Sequence, residues 1–157
     1  MVKPNVFTIF GPIRRKAMGF QLSVFMENQP GKLEAITKIL AEAEINIRGI
    51  SMASEGEFGV VKIIVDDSGL AYQILRERHF TVSKRPTIMV EIKDQAGGLH
   101  QLLCLLSANN INIEDCYGIA LEDGKKAVIV LEVDQVQDAL SVLENRDITI
   151  LSDRDLS

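Results

Sequence analysis

The sequence predicts an α+β fold made of two β-α-β-β-α-β repeats, and three observations carry this prediction. The segment 28–33, Asn-Gln-Pro-Gly-Lys-Leu, returns as Asp-Gln-Ala-Gly-Gly-Leu at 94–99, so that Gly31 plus 66 is Gly97. Each segment precedes an apolar stripe at helical spacing and then the tripeptide Ile-Asn-Ile, at 45–47 and 111–113. Runs of alternating apolar residues, which indicate half-buried strands, flank both units. A repeat of this length defines the architecture of the chain.

In the first repeat, apolar residues alternate from Phe20 to Met26, which predicts a strand. Turn-forming residues end it at 28–31, and a helix is expected over 32–43 because its apolar residues share one face. The remaining predicted elements are strands at 46–54 and 60–65, a helix at 69–78 and a strand at 80–84, followed by an Arg85-Pro86 linker.

The second repeat follows the same order. Its predicted elements are a strand at 88–93, a helix at 99–108, strands at 113–121 and 126–133, a helix at 136–145 and a strand at 148–151. After the loop at 122–124 the offset becomes 68, since Val65 plus 68 is Val133, and loops tolerate such insertions. Cys104 is expected in the core, and Cys116 is expected to be packed.

This order is the ferredoxin-like arrangement. We expect an N-terminal extension over residues 1–18 and two domains, 19–86 and 87–157, packed side by side into one extended antiparallel sheet with helices on one face. The opposite face is expected to be open and partly apolar, which favours a homodimer. The apolar residues expected on that face are Phe25, Val60, Ile64, Val128 and Val130.

The N-terminal extension carries a strand-like run from Val6 to Phe10. We expect this run to be tied to a sheet edge or to a neighbouring subunit. Met18 is an alternative natural start of the chain.

Charge and hydropathy exclude several classes of protein. The net charge is −5, and residues 1–17 contribute +4, so the remainder carries −5 − 4 = −9. Such an acidic body is unsuited to nucleic acid, whose phosphates require a basic surface. No apolar run approaches the ~20 residues of a membrane helix, and the basic residues at 14–16 follow the apolar run at 6–10, unlike a secretory signal. We therefore expect a cytoplasmic protein with reduced cysteines.

The two motifs, in register and in the same structural context, resemble those of the ACT domain family of small-molecule-binding regulatory modules. The resemblance covers residues about 20–152. It implies that an amino acid binds at the turn between strand one and the first helix, where two modules pack side by side. The implied ligand-binding residues are Asn28, Pro30, Gly31, Lys32, Asn46, Asp94, Gly97, Gly98 and Asn112.

The residue types suit that chemistry. A helix N-terminus offers unpaired amides to a carboxylate, and glycine lets a ligand approach the backbone closely. Asp94 in place of Asn28 predicts that the second site prefers a cationic group more strongly. Serine-regulated dehydrogenases of the family have a histidine where Met26 and Ile92 stand here, which argues against serine and allows a more apolar ligand.

Simpler roles stay open for the same residues. Asn28 and Asp94 are equally suited to capping a turn or helix, and Asn46 and Asn112 to satisfying backbone groups between helix and strand. Gly31 and Gly97 are turn glycines in either case.

The predicted function is ligand sensing that modulates a partner enzyme or transporter in trans. The alternatives are a structural dimerisation module without ligand and a small ferredoxin-like enzyme. Against an enzyme, the sequence has no recognisable Ser/His/Asp set, metal cluster or phosphate loop, and neither turn carries the Arg of an acyl-phosphate hydrolase. No cofactor and no metal site are predicted.

Overall fold

A computed structural model describes residues 18–122, 125–146 and 148–156. The run from Val6 to Phe10 lies outside the described residues. The strands are β1 Gly19–Glu27, β2 Ile47–Glu55, β3 Phe58–Val65, β4 Thr81–Lys93, β5 Ile113–Glu122, β6 Lys126–Val133 and β7 Ile150–Leu151. The helices are α1 Lys32–Glu42, α2 Ser68–Glu77, α3 Gly98–Ala108 and α4 Val136–Glu144, with a short 3-10 helix at Asp153–Leu156. No helix in these ranges is long and apolar enough to cross a membrane.

The predicted fold class is confirmed. Seven strands form one antiparallel sheet in the order β2-β3-β1-β4-β6-β5, and β7 pairs with β4. Each repeat contributes two helices. We use repeat 1 for residues 19–86 and repeat 2 for the residues that follow.

Strand β4 belongs to both repeats, so the expected break at Arg85-Pro86 does not occur. Its first half pairs with β1, ending at Gly19 opposite Thr87, and its second half pairs with β6, beginning at Ile88 opposite Leu131. Among the described residues, the first half of β4 pairs with β1 on one side and has no ladder partner on its other side. Pro86 is therefore tolerated, because a proline in a strand needs an edge that lacks a ladder partner.

Both helix layers cover the same face of the sheet. Val82 packs in the repeat 1 core, and Ile88 and Val90 pack in the repeat 2 core. These three residues of β4 all have even numbers, and alternate residues of a strand share a face. The helices lie on one face, as the periodicity of the sequence predicts.

Both cysteines, one on α3 and one on β5, are more exposed than expected. Leu70 and Leu99 are exposed, and so are Cys104 and Cys116, so the prediction of packed cysteines is wrong. In α3 the buried positions include Leu102 and Leu106. Cys104 lies midway between them, and at 3.6 residues per turn it therefore points to the opposite side of the helix.

On the face of the sheet without helices, the strands of repeat 1 pack against those of repeat 2. The edge strands β2 and β5 stand five strand spacings apart in the sheet order, roughly 24 Å if the sheet were flat. Yet a Cβ placed on Gly49 of β2 would lie 2.5 Å from Ile119 Cδ1 of β5. The face that was expected to be open is therefore largely covered within the chain. A third buried cluster fills it, with Ile64, Met89, Val128, Val130 and Leu156.

A polar network crosses the same junction between the repeats. Lys62 Nζ lies 2.7 Å from Asp115 Oδ2 and 3.9 Å from Glu132 Oε2. Arg85 forms a 2.8 Å ion pair with Glu132. The Tyr117 hydroxyl donates to Gln21 Oε1 at 2.8 Å, and burial, with the nearby carboxylates, raises the pKa of Tyr117. The phenol therefore stays protonated and remains a donor.

Candidate functional site

Each repeat builds a left-handed glycine at the turn after its first strand. Gly31 has φ 84° and precedes α1, and Gly97 has φ 86° and precedes α3. A Cβ at either position would meet no atom within 4 Å. Glycine is therefore favoured by the backbone conformation, and the space above the turn is open.

In repeat 1, a groove of about 520 Å³ lies where β1 ends, between the glycine turn and the start of β4. Its walls include Phe25, Phe58 and Phe80. Lys32 and Glu27 also line it, and their Nζ and Oε2 atoms form an ion pair 2.7 Å apart. The groove thus combines an aromatic wall with one positive and one negative group.

In repeat 2, a smaller groove of about 320 Å³ occupies the equivalent place between the end of β4 and α3. Lys93, Gln95 and Gly98 line it, and Ile148 stands where repeat 1 has Phe80, since 80 plus 68 is 148. Both repeats therefore present a groove at the predicted turn. A second hollow of about 510 Å³ beside this turn includes Asp94.

The predicted residues of the first turn lie together. Asn28 stabilises the turn through two hydrogen bonds. Its backbone N–H donates to Glu57 O at 2.8 Å, and its Nδ2 donates to Gly56 O at 3.1 Å. Pro30 and Gly31 are exposed beside it, and Lys32 lines the groove. The amide contacts of Asn28 are those of a turn residue, and they hold the groove's border in place.

The predicted residues of the second turn are similarly grouped. The backbone N–H of Asp94 donates to Lys125 O at 3.1 Å. Gly97 is exposed, whereas Gly98 is buried at the start of α3. A Cβ on Gly98 would lie 2.6 Å from Lys93 O, so this glycine is needed for a close approach of two backbone segments.

Asn46 and Asn112 lie away from the glycine turns of their own repeats. The backbone N–H of Asn46 donates to Asp66 Oδ1 at 3.1 Å, and that of Asn112 donates to Asp134 Oδ1 at 3.0 Å. Asp66 follows the end of β3, whereas the first turn lies at its beginning, so the length of this strand, roughly 26 Å, separates Asn46 from Asn28. Within one chain, Asn46 therefore joins the start of β2 to the end of β3, and Asn112 joins the start of β5 to the end of β6.

The two glycine turns are also far apart. The first lies beside Thr81, at the start of β4, and the second follows Lys93, at its end. The 13 residues of β4 span roughly 40 Å. A single chain therefore does not bring its two predicted turns together.

Three groove residues were not among the site residues expected from the sequence: Phe58, Phe80 and Ile148. Each occupies a strand or strand border, where an apolar residue normally signals core. The match between the repeats carries a signal for Phe58, which corresponds to Lys126, since 58 plus 68 is 126, and such a change of character is unusual for a core position. Phe80 and Ile148 are both apolar, so their match carries no such signal.

Over the ranges that the structure describes, no three His, Cys, Asp or Glu side chains are placed to hold a metal ion. His100 and Cys104 are neighbours on an exposed face of α3, with Nε2 and Sγ 3.4 Å apart. Two ligands of this kind are fewer than a structural metal site uses.

Comparison with known proteins places the chain in a family. Residues 18–157 match the family model described as an ACT domain pair. The crystal structure of protein BT0572 from Bacteroides thetaiotaomicron is similar, with a TM-score of 0.83 and 30% identity, covering 88% of this chain and 95% of that one. No curated protein matches.

Two further solved structures share the fold at lower identity. The regulatory subunit of aspartate kinase from Thermus thermophilus, in its ligand-free form, has a TM-score of 0.60 and 17% identity, covering 80% of this chain and 90% of that one. Its counterpart from Thermus flavus has a TM-score of 0.55 and 15% identity, with the same coverage. The duplicated glycine turns, the order of strands and the family match over residues 18–157 lead to one conclusion: the chain belongs to the ACT domain pair family.

Proposed function

We propose that this ACT domain pair is a cytoplasmic regulatory protein that binds an amino acid or a similar small molecule and modulates a partner enzyme or transporter in trans. The observation that carries the proposal is the groove that each repeat presents where strand one, the glycine turn and the helix start meet. It suits a small polar ligand, because such sites combine an apolar lining with a few placed polar groups. The regulatory subunits of similar fold support a regulatory role rather than an enzymatic one.

The geometry also bears on the oligomeric state. If ligand binds where two ACT modules meet at a glycine turn, the second module must come from another copy, because β4 holds the two turns of one chain apart. We therefore propose a homodimer in which each site lies between copies. Ligand would modulate the partner only if it binds two arrangements of this assembly with different affinity.

A melting-temperature screen against the twenty amino acids and common aromatic acids tests the proposal. A ligand at ~100 times its dissociation constant stabilises the native state by about 2.7 kcal/mol, enough to raise the melting temperature by several degrees. We expect a selective rise for one chemical class. No rise with any compound would favour a dimerisation module without ligand.

The variants Gly31→Ala and Gly97→Ala then locate the site. Both glycines have left-handed φ and open space at the Cβ position, so both variants carry the same backbone strain and serve as controls for each other. The added methyl group should weaken ligand binding only in the repeat that holds the ligand. Equal affinity in the wild type and both variants would contradict a site at the glycine turns.

A further inference from the structure

We propose that the groove of repeat 1 binds the zwitterion of an aromatic amino acid, one molecule per chain, and that the groove of repeat 2 does not. The inference rests on the proposed function and specifies its ligand. It draws on two features of repeat 1, exposed aromatic side chains and an adjacent ion pair of suitable geometry, and on their absence from the equivalent positions of repeat 2.

The aromatic wall is the first feature. Phe25 is 52% exposed and Phe58 is 66% exposed, although both are large apolar side chains. Phe25 lies opposite Val60 in the β1–β3 ladder, and Phe58 is two residues from Val60 on the same face. Both residues, together with Phe80, line the groove. An aromatic ligand side chain would bury this apolar surface, and ring–ring contacts in offset or edge-to-face geometry would favour it over an aliphatic one.

The ion pair is the second feature. Glu27 Oε2 and Lys32 Nζ lie 2.7 Å apart at the groove, and their side chains are 51% and 43% exposed. An amino acid carries its ammonium and carboxylate on one carbon. It can therefore exchange one ion pair for two, with its carboxylate on Lys32 and its ammonium on Glu27. The charge of the site stays balanced throughout.

Repeat 2 is a natural control for both features. Where repeat 1 has Phe25 and Phe58, repeat 2 has Glu91 and Lys126, which form an ion pair of 2.8 Å. Glu27 and Lys32 are replaced by Lys93 and Gly98, since 27 plus 66 is 93 and 32 plus 66 is 98. The second groove therefore lacks the aromatic wall, and the positions equivalent to Glu27 and Lys32 hold no acid–base pair, although the glycine turn is kept. Its acidic residue, Glu91, stands where repeat 1 has Phe25 and is paired with Lys126.

Calorimetric titration of the full chain with phenylalanine, leucine, phenethylamine and 3-phenylpropionate tests the ligand class. We expect phenylalanine to bind at one molecule per chain. Leucine lacks the ring, phenethylamine lacks the carboxylate and phenylpropionate lacks the ammonium. Each should bind about tenfold more weakly or worse, because each charged hydrogen-bonding group and each ring contact is worth about one factor of ten.

The matched variants Phe58→Lys and Lys126→Met test the location. Phe58 and Lys126 occupy equivalent, exposed positions, so neither change should alter the fold, and a circular dichroism melt checks this. We expect Phe58→Lys to weaken phenylalanine binding at least about tenfold and Lys126→Met to leave it unchanged. Tight binding in Phe58→Lys, or a loss in Lys126→Met, would overturn the assignment to repeat 1.

The outcomes separate the two proposals. If leucine or a polar amino acid binds better than phenylalanine, the aromatic assignment is overturned, whereas amino-acid sensing stands. If two molecules of phenylalanine bind per chain with equal affinity, the predicted difference between the repeats is overturned. If no amino acid and no aromatic acid of the melting-temperature screen binds, the proposed function fails as well.

Discussion

At the scale of single residues, Gly97 and Gly98 are neighbours that the fold requires for different reasons. Gly97 has a left-handed backbone and open space where a Cβ would point. Gly98 has no such φ, but a Cβ there would lie 2.6 Å from the backbone oxygen of Lys93. One position restricts the backbone conformation and the other restricts volume.

These two reasons predict that substitution by asparagine is tolerated at Gly97 but not at Gly98, because asparagine adopts the left-handed backbone conformation more readily than other side chains. Gly97→Asn should lower the free energy of unfolding by less than about 1 kcal/mol. Gly98→Ala should lower it by about 1–3 kcal/mol, because backbone must move to admit the methyl group, and Gly98→Asn should be no better. Urea unfolding of the three variants measures this, and a Gly98→Ala variant as stable as wild type would contradict the close approach.

At the scale of elements, β4 is the strand that joins the two repeats. Its ladder partner changes from β1 to β6 between Thr87 and Ile88. At this point the buried Thr87 hydroxyl donates to Leu131 O at 2.7 Å. A side-chain bond thus fastens β4 to β6 where the backbone ladder with β6 begins.

We expect Thr87→Val, which keeps the shape but removes the donor, to lower the free energy of unfolding by about 1–2 kcal/mol. Thr87→Ser, which keeps the hydroxyl, is the matched control, and it should recover the hydrogen-bond part of the loss. Chemical unfolding followed by circular dichroism compares them. Equal stability of Thr87→Val and the wild type would show that the hydroxyl bond contributes nothing to the junction.

At the scale of the whole molecule, the folded sheet brings Lys62 of β3 against Asp115 of β5 and Glu132 of β6. Their side chains are 24%, 22% and 11% exposed, so the charges are partly removed from water. Removing the cation leaves carboxylates in a site that solvates them poorly.

Lys62→Met should therefore lower the free energy of unfolding by about 1–3 kcal/mol. Lys126→Met is the control, because it removes an ion pair of similar length, 2.8 Å, that lies within repeat 2 at a more exposed place. Its effect should stay within about 1 kcal/mol. Equal losses in the two variants would mean that the contact between repeats adds no stability beyond that of a surface ion pair.

The sequence by itself determined the duplicated units, the order of their strands and helices, the glycine turns and the shared helix-covered face. These features follow from periodicity and turn chemistry, which act over a few residues and so can be read locally. The match at Gly31 and Gly97 also marks the border of each groove from the sequence alone.

Only the tertiary structure decided how the repeats meet. The unbroken β4 across Pro86 depends on which side of the strand is paired, and the covering of Ile64 depends on contact between residues as distant in sequence as Gly49 and Ile119. The same long-range folding places Asn46 a strand's length from Asn28. It also leaves Phe25 exposed while Val128, which was expected on the same open face, is buried. Periodicity predicts the face of the sheet on which a residue lies, but the segments that cover that face come from distant parts of the sequence.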